Sequence, residues 1–149
     1  MAKLFNSIYE MKLRTLFVLA AKPDEVFSVE RINAVDFISL YGKLFDVGDE
    51  NIHGDSPYKY AEIASRRELI KEATKSLVLE GLILPDFSNG FSYGITEAGE
   101  NYVGKFQSEY AEEYRSNLEK TMQLYGDFSE QDLMRLIERN GIVINAGGK

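Results

Sequence analysis

The chain contains no cysteine, so disulfides and thiol chemistry are excluded, and the composition fits a cytoplasmic protein. It contains one histidine, His53. Zinc cages and histidine-based triads need more than that. No phosphate-cradling glycine loop is present: Gly94 and Gly99 fall in a strand and in the first turn of a helix, with no Lys-Ser/Thr after a strand-to-helix loop. Long apolar runs are missing too. The N-terminal stretch MAKLFNSIYEMKLRTLFVLAA is interrupted by Glu10, Lys12 and Arg14, and reads as neither a signal peptide nor a membrane span. No repeat or low-complexity tract stands out. Positive charge is in short supply: 17 Lys and Arg stand against 24 Asp and Glu, a net charge of −7. Free-standing nucleic-acid binders usually carry the opposite excess. Carboxylate pairs such as Glu112-Glu113 lie on a solvated helix face, with no pocket to perturb them. The expectation is a protein without catalytic, cofactor or metal-binding residues.

What is present is a core. The apolar share of 44% over 149 residues suffices for one domain, or for one domain with a helical extension. Its organising stretch is Ser65 to Val103. Ser65 with Glu68 forms a capping box; Ile70, Ala73 and Leu77 share one helix face; Gly81 is a left-handed stop. Leu82 to Pro85 and the alternating Phe91, Tyr93 and Ile95 read as two strands about a Ser88-Asn89-Gly90 turn. Thr96 caps the next helix. Helix plus antiparallel hairpin is the end of a winged helix-turn-helix domain. The expected fold is therefore mainly α with a small β-hairpin: a winged helix-turn-helix domain over residues 1–103, a helical extension over 97–140 and a flexible tail over 141–149.

Upstream, Asn6 is placed as the cap of a first helix that ends at Ala20 to Asp24, Val26-Phe27 as a very short strand and Ser28 as the cap of a second helix. Ile32, Val35, Ile38 and Tyr41 share one side of that helix. Phe37 and Leu40 widen the apolar face and are candidates for a partner surface, against ordinary core packing. Residues 42–56 form an acidic, glycine-bearing loop. Asp49, Asn51 and Asp55 there lack the glycine position and terminal glutamate of a calcium loop, so a solvated loop is expected. Ser56-Pro57 starts a short helix to Ala64. Whether this helix or the Ser28–Tyr41 helix partners the Ser65 helix is left open by the sequence.

Downstream, Ala98, Tyr102, Phe106, Tyr110, Tyr114, Leu118, Met122 and Tyr125 step in threes and fours. They predict one helix from Glu97 to Tyr125, roughly 40 Å long at the usual rise. Phe106, Tyr110, Tyr114, Leu118 and Tyr125 are candidate interface residues, because tyrosine combines contact area with a polar tip. Ser129 starts a last helix, Asn140-Gly141 stops it, and Ile142 to Ile144 reads as an edge strand or a docking peptide.

One strip has the placement expected of a phosphate-binding surface. Arg67, Lys71 and Lys75 lie four apart on the recognition-like helix, with Arg66 beside them. Glu68 and Glu72 border them, and the hairpin tip 86–90 has no cation, so an ion-paired surface or an acidic protein partner competes with DNA.

These residues together resemble a bacterial family, the middle component of ABC three-component systems. The resemblance is carried by Tyr9-Glu10-x-Lys12-Leu13-Arg14, Glu30-Arg31-Ile32, Asp36-Phe37-Ile38-x-x-Tyr41-Gly42 and Asn51-Ile52-His53-Gly54-Asp55. Ala64-Ser65-Arg66-Arg67-Glu68-Leu69-Ile70-Lys71-Glu72-Ala73 and Gly81-Leu82-Ile83 complete it. The resemblance implies a non-catalytic subunit encoded between an SMC/Rad50-like ATPase and an effector, of which Lamassu-type defence against phage and plasmids is the best-known kind. The implied partners are that ATPase and an effector, a nuclease in some systems. Contact with DNA, if any, is expected only within the complex, and no membrane partner is expected. The competing expectation, from another class, is a winged-helix transcription regulator that dimerises through the 97–125 helix.

Overall fold

The computed structural model describes residues 7–49, 51–52, 62–88 and 90–147, with side chains to residue 140. The expectations for Asn6, Ser56-Pro57, His53 and Asp55 lie outside the described residues. Six α-helices and a three-stranded antiparallel sheet follow the order α1 (Ile8–Ala21), β1 (Phe27–Ser28), α2 (Val29–Leu40), α3 (Ile63–Leu79), β2 (Ile83–Asp86), β3 (Ser92–Ile95), α4 (Glu97–Val103), α5 (Glu109–Tyr125) and α6 (Glu130–Gly147). Among the described residues no helix is long and apolar enough to cross a membrane.

Side-chain caps start most of these helices. The hydroxyls of Ser7, Ser28, Thr96, Ser108 and Ser129 each accept from a backbone N–H three residues on. They satisfy amide donors that a helix start leaves unpaired. α3 departs from expectation. Its first residue is Ile63, and Ser65 lies inside the first turn, its hydroxyl donating to the Glu62 carbonyl.

α2 is the central element. Every residue from Ile32 to Leu40 is buried, because α1, α3, α5 and α6 all pack on it. Its polar residues Asn33, Asp36 and Ser39 are enclosed with the apolar ones. Phe37 and Leu40, exposed at 1% and 0%, are therefore core residues and not a surface for a partner. The broad face read from the sequence is covered within the chain: Phe37 meets the rings of Tyr41 and Phe45 and the Arg66 guanidinium.

The joint between α3 and α4 uses two glycines. Gly81 has φ +78°, a left-handed conformation that glycine adopts without steric cost. With it, the Gly81 amide reaches the Val78 carbonyl and the Leu82 amide reaches the Leu77 carbonyl, a Schellman stop. The hairpin then pairs Ile83 with Ile95 and Pro85 with Tyr93, and β1 pairs on the far side of β3 through Phe27 and Tyr93. Gly99 closes the joint: a Cβ there would lie 2.2 Å from the Leu82 carbonyl oxygen.

The single helix expected over 97–125 is two helices. α4 ends at Val103, and Ser108 starts α5 with Glu109 and Glu112 in its first turn. Arg115 fixes the break. Its guanidinium donates to the carbonyls of Val103 and Phe106, both at 2.7 Å, and stacks 4.7 Å from the Phe17 ring centroid. α5 and α6 pack on α2, so the extension joins the same body. At the other end, the Asn140-Gly141 stop and the 142–144 strand are overturned: α6 continues to Gly147. A glycine inside a helix costs only about 1 kcal/mol, too little to stop it alone.

Candidate functional site

Two constellations bring together charged groups from distant parts of the chain. The first is inside. Arg14, on the buried side of α1, donates from Nε to Asp36 of α2 at 3.0 Å. Arg66 of α3 bonds the other oxygen of the same carboxylate, and the Tyr114 hydroxyl of α5 donates to it as well. Arg14, Asp36, Arg66 and Tyr114 are all within 2% of full burial. Arg14 also reaches the Tyr110 hydroxyl at 3.3 Å, and Arg66 lies 5.6 Å from the Phe37 ring centroid. Four helices thus meet at one carboxylate.

The electrostatics follow from this enclosure. Burial alone would push the Asp36 carboxyl up. The guanidiniums of Arg14 and Arg66 and the Tyr114 hydroxyl outweigh burial and hold it below the usual carboxylate range. Burial, reinforced by the Asp36 charge, pushes the Tyr114 hydroxyl well above its ordinary value. Burial pushes Tyr110 up to about 12. Arg14 remains charged: burial works against its charged form, but Asp36 and the two tyrosines overcome it. Such a cluster pins helices in one arrangement. Removing either sign leaves an uncompensated buried charge.

The second constellation is a surface groove of about 390 Å³ between α3 and the hairpin. One wall is the strip Arg67, Lys71 and Lys75; the other is Phe91 and Tyr93; Val29, Glu30 and Thr74 also line it. Arg67 pairs with Glu30 at the start of α2, which raises its pKa first through the hydrogen bond and then through the charge. It also lies 3.5 Å from Glu68, and Lys71 lies 3.9 Å from the same carboxylate. Lys75 makes no ion pair among the described residues. The ring of Phe87 meets that of Phe91 edge-on at 4.8 Å, and Phe91 meets Tyr93 at 5.6 Å. Phe87 and Phe91 are 64% and 61% exposed.

The structure divides the candidate residues between these places. Arg67, Lys71 and Lys75 are together on the surface, as their four-residue spacing requires. Arg66 is not with them: one residue along, it points into the core. Of the interface candidates, Tyr114 and Leu118 are buried, Tyr110 contacts Arg14, and Tyr125 donates to the Phe45 carbonyl at 2.7 Å. Phe106 packs against the core. The tyrosine stripe thus ties α5 to α1 and α2 within the chain. Two features escaped sequence reasoning. One is the Asp36 hub, whose signal was a carboxylate between Val35 and Phe37 in an apolar run. The other is the aromatic row at the hairpin, visible only once β2 and β3 are paired. Among the described residues no group of three or more His, Cys, Asp or Glu could hold a metal ion.

A family model described as ABC-three component (ABC-3C) system middle component 2 matches residues 4–146. No curated protein and no solved structure matches the chain.

Proposed function

The chain belongs to the middle component 2 family of ABC-three component systems, and from that premise we propose a non-catalytic accessory subunit of an SMC/Rad50-like ATPase complex. In this reading it works in Lamassu-type bacterial defence against phage and plasmids, docks on the ATPase and links it to an effector. The fold is read as a winged helix, with α2 and α3 as the helix pair and the β2–β3 hairpin as the wing. The element order from α1 to β3, and a sheet ordered β1-β3-β2, support that reading. The observation that carries the function is the family match along nearly the whole chain. A net charge of −7 and a surface strip whose Arg67 is paired with Glu30 agree with a protein partner. Asp36, 1% exposed and bound by two arginines and a tyrosine, is enclosed by groups of its own chain, which agrees with a structural role.

Co-expression with the other components of its system tests this. The chain is expected to co-purify with the ATPase in fixed stoichiometry and to bind free duplex DNA weakly at physiological salt. A stable dimer in isolation that binds duplex DNA, with affinity falling steeply as salt rises, would make it a transcription regulator instead.

A further inference from the structure

We propose that the α3–hairpin groove is the docking site for an acidic segment of another component of the same system, anchored by an apolar side chain. The inference rests on the accessory-subunit reading and adds the surface and the chemistry of the partner. The groove has two unlike walls. The aromatic wall, Phe91 and Tyr93, continues beyond the groove onto Phe87, which packs edge to face on Phe91, so that a contiguous apolar surface faces solvent. Adjoining apolar surface of this kind is what binding grooves present, with a polar rim to fix orientation. The opposite wall supplies that rim. Lys75 carries a charge with no partner among the described residues, and Lys71 has only a 3.9 Å contact with exposed Glu68. An incoming carboxylate is therefore attracted where the chain as a whole, at −7, would repel it.

Duplex DNA matches the groove less well. Glu30 lines the groove and pairs with Arg67, and the described tip residues Asp86, Phe87, Ser88 and Gly90 include no cation. A volume of about 390 Å³ is enough to hold one or two side chains. An apolar residue set between Phe91 and Thr74, flanked by carboxylates toward Lys71 and Lys75, uses both walls at once.

Photo-crosslinking in the co-expressed complex tests the assignment. p-Benzoylphenylalanine is placed at Phe91, with a control at Leu124, which is 52% exposed on α5. The Phe91 probe is expected to capture one component, on a peptide with at least two acidic residues beside an apolar one; the Leu124 probe should not capture that peptide. Lys71→Glu with Lys75→Glu should weaken the complex by about tenfold or more, an effect shrinking at high salt, and Phe91→Ser by about tenfold. Lys71→Arg with Lys75→Arg should leave it near wild type. An intact complex with no Phe91 crosslink, a crosslink to DNA, or a captured peptide without acidic residues would overturn the groove assignment alone. Failure of the wild-type chain to co-purify with any component would overturn the accessory-subunit reading, and the groove with it.

Discussion

Arg66 and Arg67 are neighbours of the same type, and the fold treats them in opposite ways. Arg66 is 2% exposed, bound to the Asp36 carboxylate and lying over Phe37. Arg67 turns 100° around α3 to the surface, where its side chain is 43% exposed and pairs with Glu30. The lesson is that a cation's burial decides its role before its spacing does. A guanidinium out of water must have a partner, and its removal leaves that partner charged and dry. One in water forms a weak, screened pair and remains free to exchange it for another.

The contrast can be broken from the inside most forcefully. Asp36→Ala would leave Arg14 and Arg66 facing each other without their shared anion. It should cost about 3–5 kcal/mol, read as a lower urea midpoint, and lower the yield of folded chain. Tyr114→Phe keeps the ring and removes one charge-assisted bond to Asp36. A loss of about 1.5–3 kcal/mol is expected by the same measurement.

Titration sharpens the comparison further, since among the described residues the strongly shifted groups lie in the inner cluster. The Asp36 pKa is lowered on folding. Its contribution is thus complete above the ordinary aspartate pKa and is lost as pH falls through the folded value. The Tyr110 pKa is raised to about 12. Its contribution is complete below the ordinary tyrosine value of about 10 and is lost as pH rises toward the folded one. The urea midpoint should fall at alkaline pH, and Tyr110→Phe should flatten that fall without altering the acid limb. The surface strip gives the smallest effect. Raising salt to 1 M should weaken partner binding through Lys71 and Lys75 while hardly moving the unfolding midpoint.

Much of the fold could be read from local chemistry. Ser28, Thr96 and Gly81 do what their types and positions indicate, because a cap or a left-handed stop depends on a few neighbouring residues. The hairpin was legible for the same reason. The misread features are those decided by distant partners. The 97–125 periodicity continues across a break made by Ser108 and by Arg115, whose hold on the Val103 and Phe106 carbonyls no periodicity reveals. Phe37 and Leu40 looked like surplus apolar surface because α2 is enclosed from all sides by helices distant in sequence, α1 and α3 as well as α5 and α6. The strip of Arg67, Lys71 and Lys75 was found by its four-residue spacing, and the same spacing could not tell that Arg66, one residue earlier, faces Asp36. Hydrophobic pattern shows which face is inward; it does not show which charge goes with it.

Equilibrium urea unfolding of Arg66→Ala beside Arg67→Ala tests the division most directly. Arg66→Ala should cost about 3 kcal/mol, the lower end for breaking a buried pair, since Arg14 still holds Asp36. Arg67→Ala should leave the midpoint within the scatter of the wild type. Equal midpoints for the two variants, or a larger loss for Arg67→Ala, would contradict the assignment of one arginine to the fold and its neighbour to the surface.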